Sequence, residues 1–98
     1  MKMKQLTILC SEELTERIIF ALREEGVEGY VHIPNATANR FTEGDPITPY
    51  VTWGASVLIV PGPEEVISRV VARLKEYAGA CKEEPCLKLL VVDLEEMF

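Results

Sequence analysis

The sequence lacks any basic run. Its ten Lys and Arg are scattered among sixteen Asp and Glu, a formal charge of −6, so nucleic-acid binding has no electrostatic footprint and no nucleic-acid partner is expected. Long apolar runs are missing too. No stretch approaches the roughly 20 apolar residues of a bilayer-crossing helix, and the run after Met1-Lys2-Met3-Lys4-Gln5 is too short for an export signal. A cytoplasmic location is therefore expected. Cysteine is scarce, three in all, and His32 and Trp53 are the only residues of their kinds. An odd number of cysteines without an export signal reads as reduced thiols by default. Repeats, low-complexity tracts and catalytic signatures are absent, which points away from an enzyme.

Ninety-eight residues, 48% apolar and 27% charged, suit one globular domain over 1–98 with one core. Leu6-Thr7-Ile8-Leu9-Cys10 reads as a strand. Ser11 follows as an N-cap with Glu12 and Glu13 at the positive end of a helix, and the helix runs to Gly26 with Leu14, Ile18, Ala21 and Leu22 on one stripe. Tyr30-Val31-His32-Ile33 is a short strand that Pro34 ends. The polar segment from Pro34 to Pro49 then feeds the apolar strand Tyr50 to Val60. Such a long connection is uncommon in a compact domain and is usually kept for binding. Pro63 at the first helical position, Glu64 and Glu65 start a second helix, whose apolar face is Val66, Ile67, Val70, Val71, Leu74 and Tyr77 and which Gly79 closes. Leu87 to Leu94 is the last strand.

The order β-α-β-β-α-β predicts an α+β, ferredoxin-like fold, a four-stranded antiparallel sheet of order 4-1-3-2 with both helices on one face. The strands then pose a problem. Val57 and Ile59 oppose Leu58 and Val60, and Leu89 and Val91 oppose Leu90 and Val92, so both faces of the sheet carry apolar side chains, and two helices cover only one. The open face calls for another cover, and subunit association supplies it. The topology also gathers the end of the first strand, the segment 34–49 and the connection Ala80 to Cys86 at one end of the sheet, where a site is to be sought.

Several residues there carry candidate chemistry. Thr37, Asn39 and Arg40 are short polar groups and a cation suited to an anionic or adenine-like ligand, or else a solvated loop. Tyr50 and Trp53 can stack on a base or pack between subunits. Cys10, Cys81 and Cys86, with His32 near the same end, allow a soft-metal, zinc or copper site; a redox-switched disulfide and ordinary thiols are the alternatives.

The stretches Ala21-Leu22-Arg23-Glu24-Glu25-Gly26-Val27-Glu28-Gly29-Tyr30-Val31 and Leu87-Lys88-Leu89-Leu90-Val91-Val92-Asp93-Leu94-Glu95-Glu96 resemble the PII signalling superfamily, in which a helix closes on Gly-Val, a Gly-Tyr opens the next strand and the last strand leads into an acidic Glu-Glu. The resemblance implies a homotrimer with its sheets inward and ligand clefts between subunits. It also implies that residues 34–49 stand where the family has a mobile loop that docks on a target, a membrane transporter or an enzyme. Where ATP-binding and ADP-binding members carry a Gly-rich loop with a Lys, this chain has Ala80-Cys81-Lys82-Glu83-Glu84-Pro85-Cys86, leaving Lys82 as the phosphate contact. That departure implies a divergent branch, with an adenine nucleotide or a divalent or soft metal as the ligand. The similar CutA family implies the alternative role, a metal-binding or metal-tolerance accessory protein. An acylphosphatase-like enzyme on this topology needs an Arg-bearing anion loop after the first strand, and Cys10-Ser11-Glu12-Glu13 stands there instead.

Overall fold

A computed structural model describes residues 2–41, 50–79 and 86–97. In order these form β1 (Met3–Ser11), a 3-10 turn (Glu12–Leu14), α1 (Thr15–Glu24), β2 (Val31–Phe41), β3 (Tyr50–Pro63), α2 (Glu64–Leu74), a second 3-10 turn (Lys75–Tyr77) and β4 (Leu87–Leu94). The strands make one antiparallel sheet in the order β2-β3-β1-β4. This is the expected ferredoxin-like arrangement.

Alternation in the strands and helical spacing in α1 and α2 put the same residues inward. Leu6, Ile8 and Cys10 of β1 and Leu58 and Val60 of β3 face Leu14, Ile18, Ala21 and Leu22 on one side and Ile67, Val70 and Leu74 on the other, all at most 3% exposed. Each large aliphatic side chain buried to this extent contributes about 1.5–3 kcal/mol. Arg73 clasps the two helices by pairing with Glu24 and Glu25, and Arg69 pairs with Glu25 at 3.6 Å.

The structure corrects three boundaries. The first helix begins one turn late, at Thr15, because residues 12–14 wind as a 3-10 turn; Ser11 makes no side-chain cap, and its Oγ is buried without a partner. Pro63 is the N-cap of α2 rather than its first helical residue. The third correction shapes the molecule. Pro34 does not end β2: a register shift between Ile33 and Ala36 takes up Pro34 and Asn35, the latter at φ 60°, and the strand resumes from Ala36 to Phe41. Proline is tolerated here because β2 is an edge strand and the irregular step asks no ladder donor of it. Of the segment expected to be irregular, residues 36–41 are thus strand, and 42–49 lie outside the described residues.

The pairing of Ala36–Phe41 with Tyr50–Ala55 runs on past Ser11, where β1 ends. A two-stranded arm therefore projects from the four-stranded body, about 17 Å at a strand's rise per residue. It lengthens the molecule to 50 × 26 × 21 Å.

Candidate functional site

The sheet face away from the helices is built in cross-strand rows. One row is Val31, Ile59, Thr7 and Leu90; the next, nearer the arm, is Ile33, Val57, Leu9 and Lys88. Leu9, Val31, Ile33, Leu90 and Val92 are 36–55% exposed, so the face is apolar and open, as the strand pattern predicts.

Where this face meets the root of the arm lies a cavity of about 420 Å3. Leu9 and Lys88 bound it from the body, Ala38, Asn39, Arg40, Trp53 and Ala55 from the arm, and Cys10 and Cys86 from the end of the body. Two cations and the one indole share this space, and no carboxylate is among its described lining residues. In a chain of formal charge −6, that local balance favours an anion, and an indole face adds a stacking surface for a planar ring. One described carboxylate near the arm root, that of Glu12, stands elsewhere. Glu12 packs its Oε2 against the bare backbone of Gly54, 2.7 Å from where a Cβ would stand, and belongs to a second cavity between α1 and β2.

That second cavity, of about 530 Å3, is bounded by Glu12, Glu13, Glu16 and His32, with Thr15, Ser56 and Asn35 beside them. Between the two cavities a small polar network is sealed in the core. Thr15 Oγ1 donates to Ser56 Oγ at 3.0 Å, and the Cys10 thiol lies 3.9 Å from Thr15 Oγ1 and 3.8 Å from the Ser56 carbonyl. Burial pushes the Cys10 thiol up, against smaller lowering effects from Thr15 and the Ser56 backbone. Cys10 is a free thiol, whereas Cys86 is disulfide-bonded. Cys86 is also tied through its backbone, its carbonyl accepting the Ser11 N–H at 2.8 Å.

Of the residues singled out by sequence, Asn39, Arg40, Trp53, Cys10 and Cys86 meet around one cavity. Asn39 additionally accepts a hydrogen bond from Thr52 across the arm at 2.8 Å. Thr37 pairs with Gly54 and is not among the described lining. His32 opens into the acidic cavity rather than toward Cys10 and Cys86. Tyr50 is placed by its pairing with Phe41, while Cys81 and Lys82 lie outside the described residues. Among the described residues no three His, Cys, Asp or Glu side chains stand close enough to share a metal ion. Sequence reasoning missed Lys88, although a single cation within the apolar run from Leu87 to Val92 marks it.

No family model matches the sequence, and no curated protein matches it either. Solved structures do. CPII, a nitrogen regulatory PII-like protein from Thiomonas intermedia K12, superposes with a TM-score of 0.71 at 19% identity, over 96% of this chain and 90% of its own. CutA1 from Ehrlichia chaffeensis, a divalent ion tolerance protein, gives 0.72 at 13% identity over 100% and 87%. The chain has the PII-like and CutA fold. CutA1 from Oryza sativa shares it at a TM-score of 0.71 and 13% identity, over 99% and 84%. Among PII-like proteins with this fold, CPII has been solved bound to ADP, AMP and bicarbonate.

Proposed function

We propose that this chain is a PII-like regulatory protein that binds a small anionic ligand at the root of its arm and reports it to a target protein through the arm and residues 42–49. The observation that carries this reading is the cavity itself, with Arg40 and Lys88 placed to hold an anion and Trp53 to stack on a ring. An adenine nucleotide has both parts. The role is binding rather than catalysis, since binding needs only complementary charge and shape and the cavity supplies both. The cavity opens on the apolar sheet face. A second and third copy packed there, as a homotrimer, bury Leu9, Ile33, Leu90 and Val92 and turn the cavity into a cleft between subunits. Tyr50 and Lys82 belong to this reading as further ligand contacts supplied by the arm and by the connection before β4. The setting is the cytoplasm, where nucleotides are abundant; no helix among the described residues is long and apolar enough to cross a membrane, so a membrane transporter enters only as a target.

The metal-tolerance reading draws support from the CutA fold, but less from the residues. Cys86 is disulfide-bonded and His32 opens into a different cavity from Cys86. Thermal denaturation with ADP, AMP, copper or zinc separates the two, because a ligand that binds only the folded form raises the midpoint. The regulatory reading expects a rise with a nucleotide and none with either metal. A rise with copper or zinc alone reverses the choice.

A further inference from the structure

Ser11 carries a hydroxyl that the fold leaves idle. The residue is 5% exposed, and among the described residues its Oγ meets no hydrogen-bond partner. Its obvious local use, capping the turn that follows, is not made. The backbone of Ser11 is nonetheless held in place: it closes β1 opposite Ala55 of β3, and its N–H donates to the Cys86 carbonyl at 2.8 Å. Ala55 and Cys86 both line the arm-root cavity, and so does Leu9, which stands two residues before Ser11 in β1 and therefore on the same face of the sheet. Cys86, Ser11 and Ala55 thus form a row across the base of the cavity. The next row on the body side holds Leu9 and Lys88; the next on the arm side holds Trp53 and Ala38, with Arg40 beyond.

A hydroxyl taken out of water without a partner destabilises the fold, and such groups are rare in native structures. From its place between Lys88 and the Trp53 and Arg40 of the arm, we infer that Ser11 is a ligand contact: an oxygen of a bound oxyanion, seated on this row, accepts the Ser11 O–H. The inference deepens the binding role proposed above and rests on it. A nucleotide's phosphate is the kind of group that fits, since a charged acceptor makes a shorter and stronger bond with a hydroxyl than a neutral one does. The two cations favour the same charge. Because the Oγ is buried, the ligand reaches it by parting the side chains over the row, and the bond then formed removes the cost of burying an unpaired group. Arg40 and Lys88 attract the anion, and Ser11 fixes where on the base it sits.

Ser11→Ala deletes that one oxygen. Wild type and variant are compared by thermal denaturation without ligand and by calorimetric titration with ADP and with inorganic pyrophosphate, which has the charge without the ring. The expected result is a higher thermal midpoint in the variant, because an unpaired buried hydroxyl is gone, together with an affinity weaker by about tenfold or more for whichever probe binds. A purely structural hydroxyl does not move these two readings in opposite directions. Ser11→Gly also lacks the hydroxyl and takes over the titration if the alanine variant does not fold. Equal ADP affinity in wild type and variant overturns the contact and leaves the nucleotide reading standing. Pyrophosphate binding that Ser11→Ala weakens, with no binding of ADP, upholds the contact and counts against the nucleotide. A variant less stable than the wild type, with its affinity lost in step, makes Ser11 a structural residue and overturns the inference; no binding of either probe to the folded wild type overturns it as well.

Discussion

Lys88 interrupts an apolar edge strand, and it shares the arm-root cavity with Arg40 and Trp53. Both cations are exposed in the chain, so replacing either removes a ligand contact without opening a hole in the core. Hydrogen bonds to charged groups are worth about 1.5–3 kcal/mol, so Lys88→Ala and Arg40→Ala are each expected to weaken an anionic ligand about tenfold or more. Calorimetric titration reads the affinity, and thermal midpoints without ligand should stay near the wild-type value. A different residue governs alkaline stability. The pKa of Cys10 is raised by burial, so the folded state holds that proton better than the unfolded chain does. The resulting stabilisation is whole below the unfolded thiol's pKa and is lost as pH rises through the folded one. Cys10→Ser should therefore lose less stability than the wild type between about pH 8 and pH 11, the range in which thiols titrate. Equal losses in urea titrations at the two ends of that range contradict this.

At the scale of the element, the bulge in β2 decides the shape of the arm. Asn35 sits at φ 60°, where a branched side chain meets its own backbone at a cost of about 1–2 kcal/mol and glycine meets nothing. Asn35→Val is expected to lower the urea midpoint accordingly, with Asn35→Gly near the wild type; a stable valine variant means that Ala36–Phe41 pairs with β3 without this step. The same bulge marks where the sequence stopped being legible. Leu14, Ile18, Ala21 and Leu22 announce a buried helix stripe because helical spacing repeats over about two turns, and Leu87–Leu94 announces a strand by the apolar run Leu89–Val92. Pro34 gives a local signal to stop. What overrides it is the partner strand: Tyr50–Ala55 offers hydrogen bonds to Ala36–Phe41, and such nonlocal pairing leaves no pattern within β2 itself.

For the whole molecule, the sheet's open face is the governing fact. Rows such as Val31, Ile59, Thr7 and Leu90 present an apolar surface that a lone subunit leaves in water, the kind of patch that marks an association site. Sedimentation is expected to show a species of three chain masses at micromolar concentration, and Leu90→Lys, which sets a charge in the middle of that face, to shift it toward one. A monomer in both proteins removes the trimer and the shared cleft together. The apolar character of the open face was readable beforehand, because strands with no polar side put apolar residues on both faces of the sheet whatever their order. The site was readable in part. Cys10, Asn39, Arg40, Trp53 and Cys86 were placed at one end of the sheet by topology, but the place of Lys88, paired with Leu9 beside the cavity, depends on a register that only the assembled sheet fixes.

The account as a whole stands on an anion seated between Arg40, Lys88 and Trp53. Calorimetric titration of ADP into the protein tests it most directly: the prediction is saturable binding in the wild type, lost or weakened at least about tenfold in the Arg40→Ala and Lys88→Ala variants. Binding of equal strength in all three proteins, or no binding to a folded wild type, contradicts it.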